Sequence, residues 1–171
     1  MNTNAVSHAV VLEFLGNKFP FSELDRSVLM KFAQKATIDF FPKGTLILKQ
    51  GESNVTHFYV IQKGGVRSYR LDARGNITLK DFRGEGEHFG ALPIIQNTTA
   101  NLNVETLDDT FCFLFDKKDF LNLLETNRKV RRYYLSTMSE KMAQPVYSEL
   151  RQQKISPRAE GALFLFSTRA G

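Results

Sequence analysis

The chain has 171 residues, 42% apolar and 24% charged, with a net charge of +5. Those proportions suit one globular domain with a sizeable core plus an appendage. A single Cys excludes an internal disulfide, and no stretch reaches the roughly 18–20 consecutive apolar residues of a membrane helix. No basic segment followed by an apolar run opens the chain, so a secretory signal is not expected and the cytoplasm is the expected location.

Residues 7–36 read as helical. Val10, Val11, Phe14 and Leu15 recur at helical spacing. Ser22, with Asp25 three residues on, is a candidate cap for a second helix that presents Leu24, Val28, Leu29 and Phe32 on one side. From Thr37 the period changes to two. The expected strands are Thr37–Phe41, Thr45–Lys49, His57–Lys63, Val66–Leu71, Ile77–Phe82, Leu102–Glu105 and Thr110–Phe115. Turn chemistry separates them at Pro42-Lys43-Gly44, Gln50-Gly51-Glu52, Lys63-Gly64-Gly65, Arg74-Gly75-Asn76 and Arg83-Gly84. Many short strands at near-regular spacing predict a mainly β protein with flanking helices, built as an antiparallel jelly-roll barrel. Phe58, Val60, Phe111, Phe113 and Phe115 are expected in its core, since alternation sets the last three on one face.

Asp116 is placed to cap a helix over residues 117–125. A longer helix is predicted over 128–152, with Val130, Tyr133, Tyr134, Thr137, Met138, Lys141 and Met142 at helical spacing and an interruption at Pro145. Segment 128–154 holds seven basic residues against Glu140 and Glu149, which accounts for the whole +5 excess. A solvated face against an acidic neighbour explains that charge better than nucleic acid or acidic lipid, because the barrel itself is near neutral. The tail 155–171 carries the apolar run Ala162-Leu163-Phe164-Leu165-Phe166 and stops abruptly at Gly171, as a linker to a further domain would.

No constellation of catalytic residues stands out, so an enzyme is not expected. Cys112 lies inside Phe111-Cys112-Phe113-Leu114-Phe115 and reads as a buried small residue. His8, His57 and His88 have no metal-like spacing with one another or with Cys112, and no metal is expected. His88 reads as a rim residue, and Asp108-Asp109 as a hairpin turn.

The stretch Gly84-Glu85-Gly86-Glu87-His88-Phe89-Gly90-Ala91-Leu92-Pro93 and its continuation through Val104 resembles the phosphate-binding cassette of cyclic nucleotide-binding domains. These are the sensor barrels of catabolite-activator-type regulators, cyclic-nucleotide-dependent kinases and gated channels. Phe41-Pro42-Lys43-Gly44, Gly51 and Phe58-Tyr59-Val60-Ile61-Gln62-Lys63-Gly64-Gly65 carry the resemblance upstream, and it covers roughly residues 12–140. It implies that Phe89, Gly90, Ala91, Leu92, Thr98, Thr99, Ala100 and Asn101 form the ligand site. It also implies a Glu at position 91 that accepts from the ribose hydroxyl, and an Arg at position 100 that pairs with the cyclic phosphate. Both are Ala here. A buried phosphate needs a paired charge, and a guanidinium fork fits it well. Loss of both contacts is worth about two orders of magnitude or more in affinity. Gly90 either opens a turn whose N–H groups attract a small anion or simply lets the chain turn. Arg67, Arg70, Arg74, Arg83 and His88 are candidates for a substitute cation.

The resemblance divides the chain into a barrel with helical entry (1–127), a signalling or dimerisation helix (128–154) and a tail (155–171). It implies a non-catalytic regulatory sensor with weak, altered or absent cyclic nucleotide binding and no other cofactor. The alternative is the effector domain of an activator-type transcription regulator whose DNA-binding part lies elsewhere. Val130, Tyr134, Met138 and Met142 would form a homodimer seam, unless the stripe packs on its own barrel. The chain is also similar to diverged barrels that precede cystathionine-synthase-type repeats and a nucleotidyltransferase-like domain in bacterial signalling proteins. Those downstream domains are the expected partners, with no nucleic acid and no membrane contacted by this chain.

Overall fold

The computed structural model describes residues 5–138. Met142, Pro145, the remainder of the expected 128–152 helix and the tail 155–171 lie outside the described residues. In chain order the elements are α1 (His8–Gly16), a 3-10 turn (Phe21–Glu23), α2 (Arg26–Ala33), β1 (Thr37–Phe41), β2 (Leu46–Leu48), β3 (His57–Lys63), β4 (Val66–Leu71) and β5 (Ile77–Arg83). Then come β6 (His88–Phe89), α3 (Ala91–Gln96), β7 (Asn103–Thr106), β8 (Thr110–Asp116) and α4 (Lys117–Thr126). Residues 128–138 are helical.

The strands form two four-stranded sheets, ordered β1-β8-β3-β6 and β2-β7-β4-β5, with every ladder antiparallel. The helices cover the first sheet, and this is the mainly β barrel with flanking helices that the spacing predicts. Periodicity missed β6, because two residues carry no alternation. Gly64 shows why the β3–β4 turn needs glycine. Its φ is +100°, and a Cβ there would lie 2.5 Å from the Asp109 carbonyl oxygen and 2.8 Å from Thr110 Cα.

In the centre of the first sheet, over residues 58–61 of β3 and 112–115 of β8, both faces are buried. Register sets Phe58 opposite Phe115 and Val60 opposite Phe113, and all four are fully buried. Their face meets the helices: Phe58 stacks on Phe120 and Phe115 on Phe32, each at 4.1 Å between ring centroids. Phe113 meets Phe14 edge-on at 5.4 Å. The opposite face, with Tyr59, Ile61, Cys112 and Leu114, turns toward the second sheet. Burial pushes the Tyr59 hydroxyl and the Cys112 thiol each up to about 12, with a smaller push from the Asp39 carboxylate. Cys112 is thus the inert buried residue its context suggests.

Three expectations need correction. Phe111 is 37% exposed rather than core. A bulge between Ile61 and Lys63 sets it opposite Lys63. There it pairs with the exposed Phe40 ring at 4.9 Å instead of with a helix. Ser22 does not cap α2; it sits inside the 3-10 turn, and Asp25 takes the N-cap position. The tight turn places the α2 start three residues later than the capping pattern indicates. Asp116 does occupy the α4 N-cap position, but its side chain makes no cap bond and lies 3.2 Å from His57 Nε2.

Candidate ligand-binding site

The cassette runs from β6 into α3. Gly90 is the α3 N-cap with φ +94°, a left-handed conformation that disfavours side chains. A Cβ there would sit 3.0 Å from the His57 carbonyl oxygen. Backbone geometry therefore requires glycine at this turn, and the helix it opens is six residues long. Pro93 is tolerated because the N–H it lacks is one a first helical turn leaves unpaired. Asn97 closes the helix at φ 57°, and the Thr98 N–H donates to the Pro93 carbonyl at 2.9 Å.

The expected site residues do not form one surface. Phe89 is buried and stacks on Tyr59 at 4.6 Å, between the sheets. Gly90, Ala91 and Leu92 are half-buried, and Thr98 and Thr99 are exposed. Ala100 is 2% exposed. Its N–H donates to the Ser53 carbonyl and its carbonyl accepts from the Gly51 N–H, both at 2.8 Å. Asn101 is half-buried. The position that reads phosphate by resemblance is thus a backbone knot against the β2–β3 turn, with a methyl group as its only side chain.

The candidate substitute cations separate cleanly. Ser68 and Val66 are buried on β4, so their face is the inner one. Arg67 lies on the outer face, 3.0 Å from Glu105 Oε1 and over the Tyr69 ring. Arg74 sits in the exposed β4–β5 turn. Arg83 is largely buried and already engaged: Nη2 donates to Asp81 at 3.0 Å and Nη1 to the His88 carbonyl at 2.9 Å. Burial holds the neighbouring Glu87 carboxyl above its ordinary value, against the lowering effect of the Gly84 N–H and Arg83. Arg70 shares the inner face with Ser68.

His88 is not the rim residue its sequence context suggests. Its ring lies among Phe21, Phe58, Tyr133 and Tyr134, with centroid distances of 6.1, 5.5, 6.3 and 5.5 Å. The two residues of β6 thus face opposite ways, Phe89 into the barrel and His88 into the helical layer. Only a two-residue strand between flanking glycines hinted at this placement.

The helical segment 128–138 packs on its own barrel. Val130 and Tyr134 are buried, and Tyr134 meets Phe58, Phe120 and His88. Burial pushes the Tyr134 hydroxyl well above its ordinary value. These two members of the expected stripe pack within the chain. Met138 is half-buried at the end of the described residues, and Met142 lies beyond them. Arg131 Nη1 ties the segment to α4 through the Leu124 and Glu125 carbonyls at 3.0 and 3.1 Å. Among the described residues no helix is long and apolar enough to cross a membrane, and no group of three His, Cys, Asp or Glu could hold a metal.

The family model of the cyclic nucleotide-binding domain matches residues 38–127, more than half of the chain. The chain belongs to the cyclic nucleotide-binding domain family. It is 28% identical over 127 residues to a cAMP-dependent protein kinase regulatory subunit of Candida albicans, covering 72% of this chain and 26% of that protein. The domain thus spans about a quarter of that relative's length. The regulatory domain of Toxoplasma gondii PKA, solved with cAMP, superposes with a TM-score of 0.69 at 20% identity, over 78% of this chain and 50% of that one. The sensor domain of the transcriptional regulator DNR from Pseudomonas aeruginosa gives the same score and identity over 87% of this chain and 95% of that one. At such identity these neighbours establish the fold of the domain.

Proposed function

We propose that this cyclic nucleotide-binding domain is a non-catalytic regulatory sensor in which the cassette no longer reads a cyclic nucleotide. One observation carries the proposal: residue 100 is an Ala at 2% exposure, locked by both backbone groups, where a phosphate-pairing Arg would stand. Ala91 likewise offers no acceptor to a ribose hydroxyl. Family membership supports the sensor role, and the two substitutions support a weakened or altered ligand.

The same proposal places the chain in the cytoplasm, in a bacterial signalling protein whose downstream repeats and nucleotidyltransferase-like domain receive the signal. The sequence similarities described above support this context. A homodimer is proposed only through Met138 and the residues after it, since Val130 and Tyr134 are occupied. The effector domain of an activator-type transcription regulator is not favoured, because the curated relatives are kinases and kinase regulatory subunits.

Isothermal titration with cyclic AMP and cyclic GMP tests the proposal. Dissociation constants on the order of 100 μM or weaker are expected. The double change Ala91→Glu with Ala100→Arg raises affinity by about tenfold or more. A micromolar constant for the unaltered chain would overturn the proposal.

A further inference from the structure

We infer that β4, and not the cassette, supplies the cation of this barrel: Arg70 and Ser68 hold the phosphate of a nucleotide-sized ligand between the two sheets. The inference rests on reading the domain as a sensor whose cassette pair is lost, and it names what replaces that pair.

The first observation is Ser68. It is 4% exposed, and its Oγ has no hydrogen-bond partner. A buried hydroxyl left unpaired loses its hydration without recompense, so natural proteins rarely keep one without a use. Ser68 faces Val104 across one ladder and Asp81 across the other, which sets all three side chains on the inner face. The unpaired hydroxyl therefore lies on the face that β4 turns toward the first sheet.

The second observation is Arg70, two residues along the same strand and so on the same face. It is half-buried, and its guanidinium makes no ion pair or hydrogen bond among the described residues. The other inner-face arginine, Arg83, is already matched by Asp81, and Arg67 is paired with Glu105 on the outer face.

The third observation locates Arg70 at the end of the barrel where Ala100 lies. Leu71, the next residue, donates to Gln50 Oε1 at 2.8 Å and accepts from Gln50 Nε2 at 3.1 Å. Gly51, adjacent to Gln50, donates to the Ala100 carbonyl. One hydrogen-bonded knot thus joins the end of β4 to the position where the cassette arginine is missing. A planar guanidinium with five donors suits a phosphate, and the Ser68 hydroxyl adds a donor on the same wall. Asp81, held by Arg83, offers an acceptor to hydroxyl or ring N–H donors on the rest of the ligand.

Titration of the 171-residue chain with cyclic GMP and with guanosine isolates the phosphate, since the two share base and sugar. Cyclic GMP is expected to bind about tenfold or more tightly than guanosine, with an affinity that falls as salt rises. Arg70→Gln removes that difference, Arg70→Lys restores part of it, and Ser68→Ala weakens cyclic GMP severalfold. Arg67→Gln, on the outer face, leaves both affinities unchanged. Equal affinity for the two probes, cyclic GMP binding indifferent to Arg70→Gln, or no binding at millimolar probe would each overturn the inference. The comparison of probes on the unaltered chain decides it even where a variant fails to fold. Absence of binding leaves the weak-cassette proposal standing, whereas micromolar binding abolished by Arg70→Gln overturns that proposal and sustains this one.

Discussion

The two sheets of this barrel are made of different material. In the centre of β1-β8-β3-β6 both faces are packed, one by helices and one by the barrel interior, and stacked aromatic rings bind the layers. In β2-β7-β4-β5 the outer face is polar and ion-paired, with Arg67 and Glu105 about a third exposed, while the inner face carries an unpaired hydroxyl and an unmatched guanidinium. A sheet buried on both sides tolerates little change. A sheet open on one side can exchange side chains without loss of fold. The difference teaches where substitution is tolerated: the buried aromatic packing is concentrated in the first sheet, and the second carries the exposed polar face.

The sharpest way to break this comparison is to damage the aromatic layer. Phe58→Ala, at the meeting point of Phe21, Phe115, Phe120 and Tyr134, is expected to cost about 3–5 kcal/mol in urea unfolding. A loss below about 1 kcal/mol would show that the helical layer does not anchor the sheet. Alkaline titration probes the inner face of the same sheet. Cys112 and Tyr59 each hold their protons until about 12 in the folded chain, against ordinary values of 9.0 and 10.0. Between those values the unfolded chain binds fewer protons, so stability is complete below about pH 9 and falls as pH rises toward 12. Urea midpoints across pH 8–11 measure this, and Cys112→Ala flattens the lower part of the slope.

Gly64→Ala tests the turn that joins the two sheets. A left-handed φ plus the contact with the Asp109 carbonyl predicts a loss of about 1–3 kcal/mol. The smallest effect belongs to the second sheet's outer face. Arg67→Gln should change stability by less than about 1 kcal/mol, because the pair with Glu105 is partly solvated. A larger loss would mean that this sheet is as rigidly specified as the first.

Much of the fold is legible in the sequence. Strands β1, β3 and β4 match their expected bounds, because alternation of Val, Ile, Phe and Tyr between Gly-rich turns is a local signal. Phe111 was misplaced because alternation is blind to a bulge on the partner strand and to where the helices end. The eight cassette positions were named by resemblance, but their exposures, from buried Ala100 to open Thr99, depend on how the chain returns to the β2–β3 turn. His88 was misjudged for the same reason: which side of a two-residue strand is covered is a property of its neighbours.

The sequence by itself determined the antiparallel strands and the buried character of Cys112, since both follow from local periodicity, whereas the resemblance alone assigns roles to Ala91 and Ala100. Tertiary structure alone decided which arginine faces inward. Arg67 and Arg70 are three residues apart on one strand, and alternation sets them on opposite faces without saying which face is inner. Pairing of β4 with β5 and β7 closes the barrel over one face of the strand, and that closure sends Arg67 to Glu105 and leaves Arg70 beside Ser68.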